Sequence, residues 1–536
     1  MKTKLGHIIS GSLADGFLMR IAHHAALHEI KTGKFVSVAG KAQTFFSLIT
    51  DLQLEVTHSD ILLFPPSEKE TLLSSVLKQK DIYATARLKP MLMLDKEQQP
   101  RPVKTIPTHF TPVFEADKKD VALIFGDEHE PTKRYFNIGC PLDMNTPVCL
   151  DLERLTERSN GIFGKTGTGK TFLTRLVLAG LIKNDKAVNL IFDMHSEYGL
   201  QARKEGKGHS FVKGLKTLFP DKVAIFSLDP QSTRRRGGNP DVEVVIPFQA
   251  VQVEDVLSLQ QELNLHSTAL EAAYLISARY KQDWLQVLLS QGDNLKEFAE
   301  SIGAHPESIA ALYRKLKRLE RLPFFKAMPQ GAYKQENVID QMMEYIDRGI
   351  SIILEFGNYT STFCYLLVAN IISRRVHAAF VAKTEQFLGS QRKEDEPKKL
   401  MITIEEAHKF LNSYAAKQTI FGIIAREMRK YYVSLLVVDQ RPSGIDQEVL
   451  SQIGTKIVAQ LNDEKDIQGV LTGVNGAQNL RTILASLDSK KQALLMGHAL
   501  AMPVVIQTRE YDEAFYRAMG DNVTPEQINE FVAELF

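Results

Sequence analysis

The stretch Asn160-Gly-Ile-Phe-Gly164-Lys165-Thr166-Gly167-Thr168-Gly169-Lys170-Thr171 decides the reading of this 536-residue chain. Its last eight residues fit the pattern GxxxxGK[ST]. They follow a short apolar run and open an amphipathic helix-like segment, TFLTRLVLAGLI. That order predicts a strand, a phosphate-cradling loop and a helix. Glycines let backbone N–H groups curl around phosphate oxygens, and the helix N-terminus adds positive potential. Lys170 is placed to reach the β- and γ-phosphates. Thr171 is placed to offer its hydroxyl to Mg²⁺. Gly164 through Thr171 are therefore the candidate nucleotide-binding residues, with ATP and Mg²⁺ as the implied ligands.

A phosphate loop of this kind needs acids at the end of a neighbouring strand. Leu400–Ile404 is apolar and runs into Glu405-Glu406. The first acid suits the Mg²⁺ shell and the second suits polarising an attacking water. Thr171 and Glu405 are thus the candidate metal residues. Strand-like Val433–Asp439 ends at Gln440, an amide suited to sensing the γ-phosphate. Asp193, His195 and Glu197 cluster after another apolar run, VNLIFD. They are expected to form a polar loop around the nucleotide, with zinc ligation as the other reading. His408 is expected to be a structural neighbour of the acids. The segment IIAREMRKYY carries Arg426, Arg429 and Lys430, and an arginine from it, or Arg158 before the first strand, is a candidate for a neighbouring subunit's γ-phosphate. Cations offsetting a helix dipole are the plain alternative for the first group.

Further outward, apolar runs at Ala187–Asp193, Lys222–Leu228, Ile350–Phe356, Lys456–Leu461 and Gln492–Met496 alternate with helical segments. Fully apolar short strands between helices predict a parallel sheet covered on both faces, hence the α/β class. This core is expected in two parts, 151–249 and 346–510, separated by a helical insertion over 250–345 and followed by a C-terminal helical tail, 511–536. Residues 1–65 alternate apolar and polar residues between glycines and predict a small β-barrel. Residues 66–150 are expected to be an irregular β-rich segment and linker, cut by prolines at 90, 100, 102, 107 and 112, with EADKKD (115–120) as a solvated turn.

Composition narrows the function classes. The chain is 44% hydrophobic and 24% charged, with Lys+Arg 65 against Asp+Glu 64 and a net charge of +1. It is globular in composition, and any nucleic-acid site must be local rather than a global basic field. Three cysteines, Cys140, Cys149 and Cys364, without a CxxC pair argue against a disulfide framework and fit a reducing cytoplasm. The N-terminus has no apolar run of signal-peptide length. The most apolar segment, Thr362 to Val381, is interrupted by Asn370, Ser373, Arg374 and Arg375, so a buried helix and no integral membrane association are expected.

The segments RSNGIFGKTGTGKT, IFDMHSEYG, MITIEEAHKFL and AREMRKYYVSLLVVDQRPSGIDQEVLSQ, in this order and spacing, resemble the HerA helicase family of the HerA–FtsK superfamily. The N-terminal HIISGSLADGFLMRI, EIKTGKFVSVAG and FFSLITDLQL resemble the small β-barrel that opens HerA proteins. NIGCPLDMNTPVCLDLERL resembles the linker into their ATPase core. The resemblance implies a RecA-like P-loop ATPase core with an N-terminal small β-barrel and a helical insertion. It also implies a homo-hexameric ring that pumps double-stranded DNA, and a NurA-like nuclease or other effector enzyme docked on it. By motif position it carries the catalytic roles to Glu405, Glu406 and Gln440, and the interface arginines to Arg429 and Arg158. Two positions depart from the family pattern: Glu405 stands where Asp is usual, and Lys430-Tyr431-Tyr432 replaces a Lys-aromatic-Gly. A non-translocating ring scaffold that gates a partner enzyme is the alternative, and a conjugation-type motor a third reading.

A DNA motor must grip phosphates with basic groups. Arg234-Arg235-Arg236 followed by two glycines reads either as a flexible pore loop or as a solvated surface loop. Arg314, Lys315, Lys317, Arg318 and Arg321 spread around one helical segment and suit a solvated face.

Overall fold

A computed structural model describes residues 2–520 except 24, 26, 41–42, 58–81, 96, 98–99, 143, 204–210, 328–337, 428–429, 475–476 and 489–490. The N-terminal strands are β1 (Lys4–Ser12), β2 (Gly16–Ile21), β3 (Phe35–Ala39), β4 (Thr44–Val56), β5 (Ile82–Leu94) and β6 (Pro112–Glu115). They pair in the order β2-β1-β6-β3-β4-β5, and β5 returns to β2, closing a six-stranded barrel. Closure requires β5 and β6, so the barrel runs past the residue-65 boundary expected from local pattern. Pro112 is tolerated because it opens its strand, and Pro90 because a register shift lies opposite it. Period-two alternation splits these strands between two cores. Val36, Val38, Phe45 and Ile49 fill the barrel, whereas Phe35, Phe46 and Leu48 join the main core.

The segment expected to be a solvated turn at 115–120 instead starts a helix, Lys118–Phe125. Asp117 caps it and Asp120 closes the capping box. Two acids three apart made a helix start, which a charge-run reading overlooks.

The main sheet contains β7 (Tyr135–Pro141), β8 (Val148–Asp151), β9 (Asn160–Phe163), β10 (Val188–Asp193), β11 (Val223–Ser227), β12 (Val242–Glu243), β13 (Ser351–Glu355), β14 (Leu400–Glu405), β15 (Val433–Asp439), β16 (Thr455–Val458), β17 (Gln492–Gly497) and β18 (Val504–Thr508). Its order is β12-β11-β13-β10-β14-β15-β9-β16-β17-β18-β7-β8. From β12 to β16 every pairing is parallel. Beyond β16 the sheet turns antiparallel. The parallel expectation fails for Gln492–Met496, which pairs antiparallel with β16, and the short link from β17 to β18 then permits only a hairpin. Residues 135–151, expected to be linker, form the last two strands of this sheet by pairing with β18.

Between β12 and β13 lies the helical insertion, with helices Ser267–Tyr280 and Pro306–Leu316 packed together. Trp284, 1% exposed, donates its indole N–H to the Val251 carbonyl at 2.8 Å. The apolar helix Thr362–Ser390 is long and apolar enough to cross a membrane, and most of its apolar stretch is buried inside the protein. Its Arg374 and Asn370 both bond the buried Asp255 carboxylate, at 2.7 and 2.9 Å. Charge satisfied this way belongs to a packed interior.

Candidate functional site

The phosphate loop joins β9 to α1 (Lys170–Lys183). Residues Leu173–Ile182 of α1 are buried, which fixes the helix against the sheet. The loop is pinned at both sides: Gly164 N–H donates to the Asp439 carbonyl at 3.3 Å and Lys165 N–H to the Gln460 carbonyl at 3.0 Å. Gly167 and Gly169 have φ of +79° and +91°, a region that favours glycine. An added Cβ at either would touch nothing within 4 Å, so backbone conformation, not space, demands glycine there. Lys170 Nζ donates to the Lys165 carbonyl at 3.1 Å, so its ammonium lies across the loop itself.

Strand order explains how the acids meet the loop. β15 lies between β9 and β14, so the upper ends of these three strands stand side by side. Ligands of parallel α/β sheets bind at that edge. A cavity of about 440 Å³ opens there, lined by Lys170, Thr171, Glu197, Glu405, Glu406 and Gln440 among others. Gln440 Nε2 donates to Glu406 Oε1 at 2.9 Å, and its Oε1 accepts from the Thr166 hydroxyl. Glu406 has φ of +50°, a strained conformation for a residue with a Cβ, of the kind that clusters at functional sites.

Glu405 is 9% exposed. Its Oε1 accepts from the Tyr198 hydroxyl at 2.7 Å, and its Oε2 has no hydrogen-bond partner. Burial, with the charge of Asp193 behind it, pushes its carboxyl up to about 8. Asp193, on the neighbouring strand end, is pushed up to about 7 by burial, although the Glu197 and Tyr198 amides donate to it at 2.8 and 2.9 Å. Those amides occupy both oxygens of Asp193. Among the described residues no group of three or more His, Cys, Asp or Glu side chains is arranged to hold a metal ion. The zinc reading of Asp193, His195 and Glu197 is thereby overturned. Glu197 instead turns to Thr171, accepting from its hydroxyl at 2.9 Å.

Four groups escaped the sequence reading. Tyr365 accepts from the Glu405 N–H at 3.1 Å and donates to the Glu405 carbonyl at 3.2 Å. Tyr198 holds the side chain of the same residue. Arg175, 2% exposed, bonds the Glu197 carbonyl and stands over the rings of Phe172 and Tyr511. Asp439, 1% exposed, accepts from His408 Nδ1 at 3.0 Å and from the His408 and Arg441 amides, both at 2.6 Å. That bond to Asp439 raises the His408 imidazole above its ordinary value. The only available signal was position: Tyr198 and Asp439 each lie beside a polar strand end.

The arginines are placed differently. Arg158 precedes β9 at the edge opposite the loop, where its side chain packs on Gly454. Arg426 is exposed at the end of the helix Ile420–Glu427, donating to the Ala416 carbonyl at 3.3 Å. Neither lines this chain's cavity. Arg429 lies outside the described residues. The Arg234–Arg236 run is not a flexible loop: Pro230–Arg235 is a helix capped by Asp229. Arg236 pairs with the buried Glu355 at 2.5 Å and Arg234 with Glu243 at 2.5 Å. In the other basic segment, Arg318 covers the Phe363 ring at 4.6 Å and Lys317 bonds the Tyr313 hydroxyl at 2.8 Å.

A phosphate loop, an acid pair and an amide on a parallel sheet in this strand order define a P-loop ATPase. Residues 136–376 match the family model described as the central domain of the helicase HerA. The "DNA double-strand break repair helicase HerA" of Pyrococcus furiosus is 22% identical over 426 residues, covering 75% of this chain and 73% of that protein. The protein of that description from Sulfurisphaera tokodaii is 25% identical over 448 residues, covering 80% and 79%. Among solved structures, VirB4 of Thermoanaerobacter pseudethanolicus aligns at 13% identity over 71% of this chain and 98% of that one, with a TM-score of 0.45. The chain is thus an ATP-hydrolysing enzyme with a P-loop ATPase core, similar over three quarters or more of its length to archaeal HerA helicases.

Proposed function

We propose that this protein is an ATP-driven translocase of double-stranded DNA, working as a homo-hexameric ring in the cytoplasm. We further propose that it serves a NurA-like nuclease or another effector in DNA end processing or defence. The observation that carries the reading is the meeting of Lys170, Glu406 and Gln440 in one cavity, in a chain similar over most of its length to named DNA-repair helicases.

In this reading Gly164–Thr171 wrap the triphosphate with backbone N–H groups, and the Lys170 ammonium leaves the Lys165 carbonyl for the terminal phosphates. Glu406 orients and polarises the attacking water, and Gln440, bonded to it, registers the γ-phosphate. The residues fit Mg²⁺. The Thr171 hydroxyl and the partnerless Oε2 of Glu405 are oxygen donors of the kind this cation takes. Bound there with the nucleotide, Mg²⁺ would offset phosphate charge. Arg429 and Arg158 are assigned to the neighbouring subunit's site, which fits the absence of Arg158 from this chain's own cavity.

The test is the rate of ATP hydrolysis with and without double-stranded DNA. Stimulation by DNA that is lost in Glu406→Gln supports the motor. A rate indifferent to DNA but raised by a protein partner overturns it in favour of the ring scaffold.

A further inference from the structure

Glutamate is a flexible choice for a cation-side acid, because its carboxylate swings on three torsions and freezing such a side chain costs conformational entropy. Here the swing is removed twice over. Tyr365 grips the main chain of Glu405 on both its N–H and its carbonyl. Tyr198 takes one carboxylate oxygen at 2.7 Å and leaves the other without a partner. Both tyrosine side chains are wholly buried, with exposures of 0%.

Tyr198 is itself held. Its N–H donates to Asp193 at 2.9 Å and its carbonyl accepts from Leu215 N–H at 2.8 Å. The preceding residue, Glu197, bonds the Thr171 hydroxyl at 2.9 Å. One dipeptide therefore bonds both residues assigned to the cation, Thr171 through its hydroxyl and Glu405 through the oxygen opposite the cation-side one. The hydroxyl also acts against repulsion: Asp193 and Glu197 are nearby charges that oppose a carboxylate at this place.

We propose that Tyr198 is a positioning residue, whose hydroxyl fixes Oε1 of Glu405 so that Oε2 stays available to a divalent cation bound with the nucleotide. This rests on the reading of Glu405 as the cation-side acid. Tyr198 does not line the cavity, so it acts through Glu405.

The test uses the full chain and a non-hydrolysable fluorescent ATP analogue, titrated at a series of Mg²⁺ concentrations. Tyr198→Phe removes one oxygen atom and keeps the ring. Losing a hydrogen bond to a charged group is expected to raise the Mg²⁺ needed for half-maximal tight binding about tenfold or more. Binding of the analogue without Mg²⁺ is expected to stay within about twofold. The pair Tyr198→Phe/Glu405→Gln buries no orphaned charge and keeps the test open if the single variant folds poorly. It is expected to match Glu405→Gln alone, because the tyrosine has nothing further to position. An unchanged Mg²⁺ requirement in Tyr198→Phe overturns the proposal. So does an equal loss with and without Mg²⁺, or a further loss in the Glu405→Gln background. An unchanged requirement in Glu405→Gln itself overturns the reading of Glu405, and the role of Tyr198 with it.

Discussion

Gln440 Nε2 donates to Glu406 Oε1 at 2.9 Å, linking the ends of the adjacent strands β14 and β15, the second of which pairs with the strand leading into the phosphate loop. The amide thus orients the carboxylate proposed to polarise water. Glu406→Gln is expected to keep nucleotide affinity and to lower turnover by about 10²- to 10⁴-fold, the usual worth of a general base. Gln440→Ala is expected to lower turnover by about tenfold or more, since it removes one hydrogen bond to a charged group. Steady-state hydrolysis alongside equilibrium nucleotide binding separates the two effects.

Lys170 offers the cationic side chain of the loop, and its ammonium donates to a carbonyl of that loop at 3.1 Å. Lys170→Ala is expected to weaken binding of an ATP analogue by about ten- to a hundredfold, the scale of a charge-assisted hydrogen bond. Fluorescence titration checks this. Unaltered affinity would remove the loop from the reading.

Burial holds the Glu405 carboxyl up at about 8, so at pH 7 it is mostly protonated before nucleotide arrives. A divalent cation favours the ionised form, so binding of Mg²⁺ with nucleotide expels a proton. The expected release is up to about one proton at pH 7, with affinity rising from pH 6 to 8. Calorimetry in two buffers of different ionisation enthalpy measures it, and Glu405→Gln should abolish it.

Lys456 on β16 is 3% exposed and donates to the Thr472 carbonyl at 2.6 Å. Burial lowers its amine from 10.5 to about 8. Between those values the unfolded chain holds a proton that the folded chain lacks, so stability rises with pH across that window. Below about 8 the burial penalty is fully present. Lys456→Met is expected to stabilise the protein by about 2 kcal/mol at pH 7 and by little at pH 10.5. Denaturant midpoints at the two pH values decide it.

Arg236 satisfies Glu355, whose side chain has no exposed surface. Arg236→Ala leaves that carboxylate buried, with the Thr233 hydroxyl, 2.8 Å away, its remaining side-chain partner among the described residues. The expected cost is about 3 kcal/mol, read as a lower denaturant midpoint. A surface arginine would change stability by less than about 1 kcal/mol.

The loop Gly164–Thr171 was legible because its chemistry is local: eight consecutive residues carry the turn, the amides and the cation. Glu405, Glu406 and Gln440 were legible because each follows an apolar run, and a parallel strand delivers its next residue to the ligand edge. The partners of those residues were not legible. Tyr365 is forty positions from Glu405 and belongs to a helix whose pattern says only that it is buried. His408 faces Asp439 because β14 and β15 are neighbours, a fact of sheet order.

By itself, the sequence determined the alternation of strands and helices, the phosphate loop and the residue types at the strand ends. These follow from periodicity and short-range backbone chemistry. Only the tertiary structure decided that 82–94 and 112–115 close the barrel, that 135–151 extend the ATPase sheet, and which oxygen of Glu405 is left without a partner. The reason is physical. Strand pairing and side-chain hydrogen bonds join residues hundreds of positions apart, and a chain's local pattern fixes what can pair without fixing with whom.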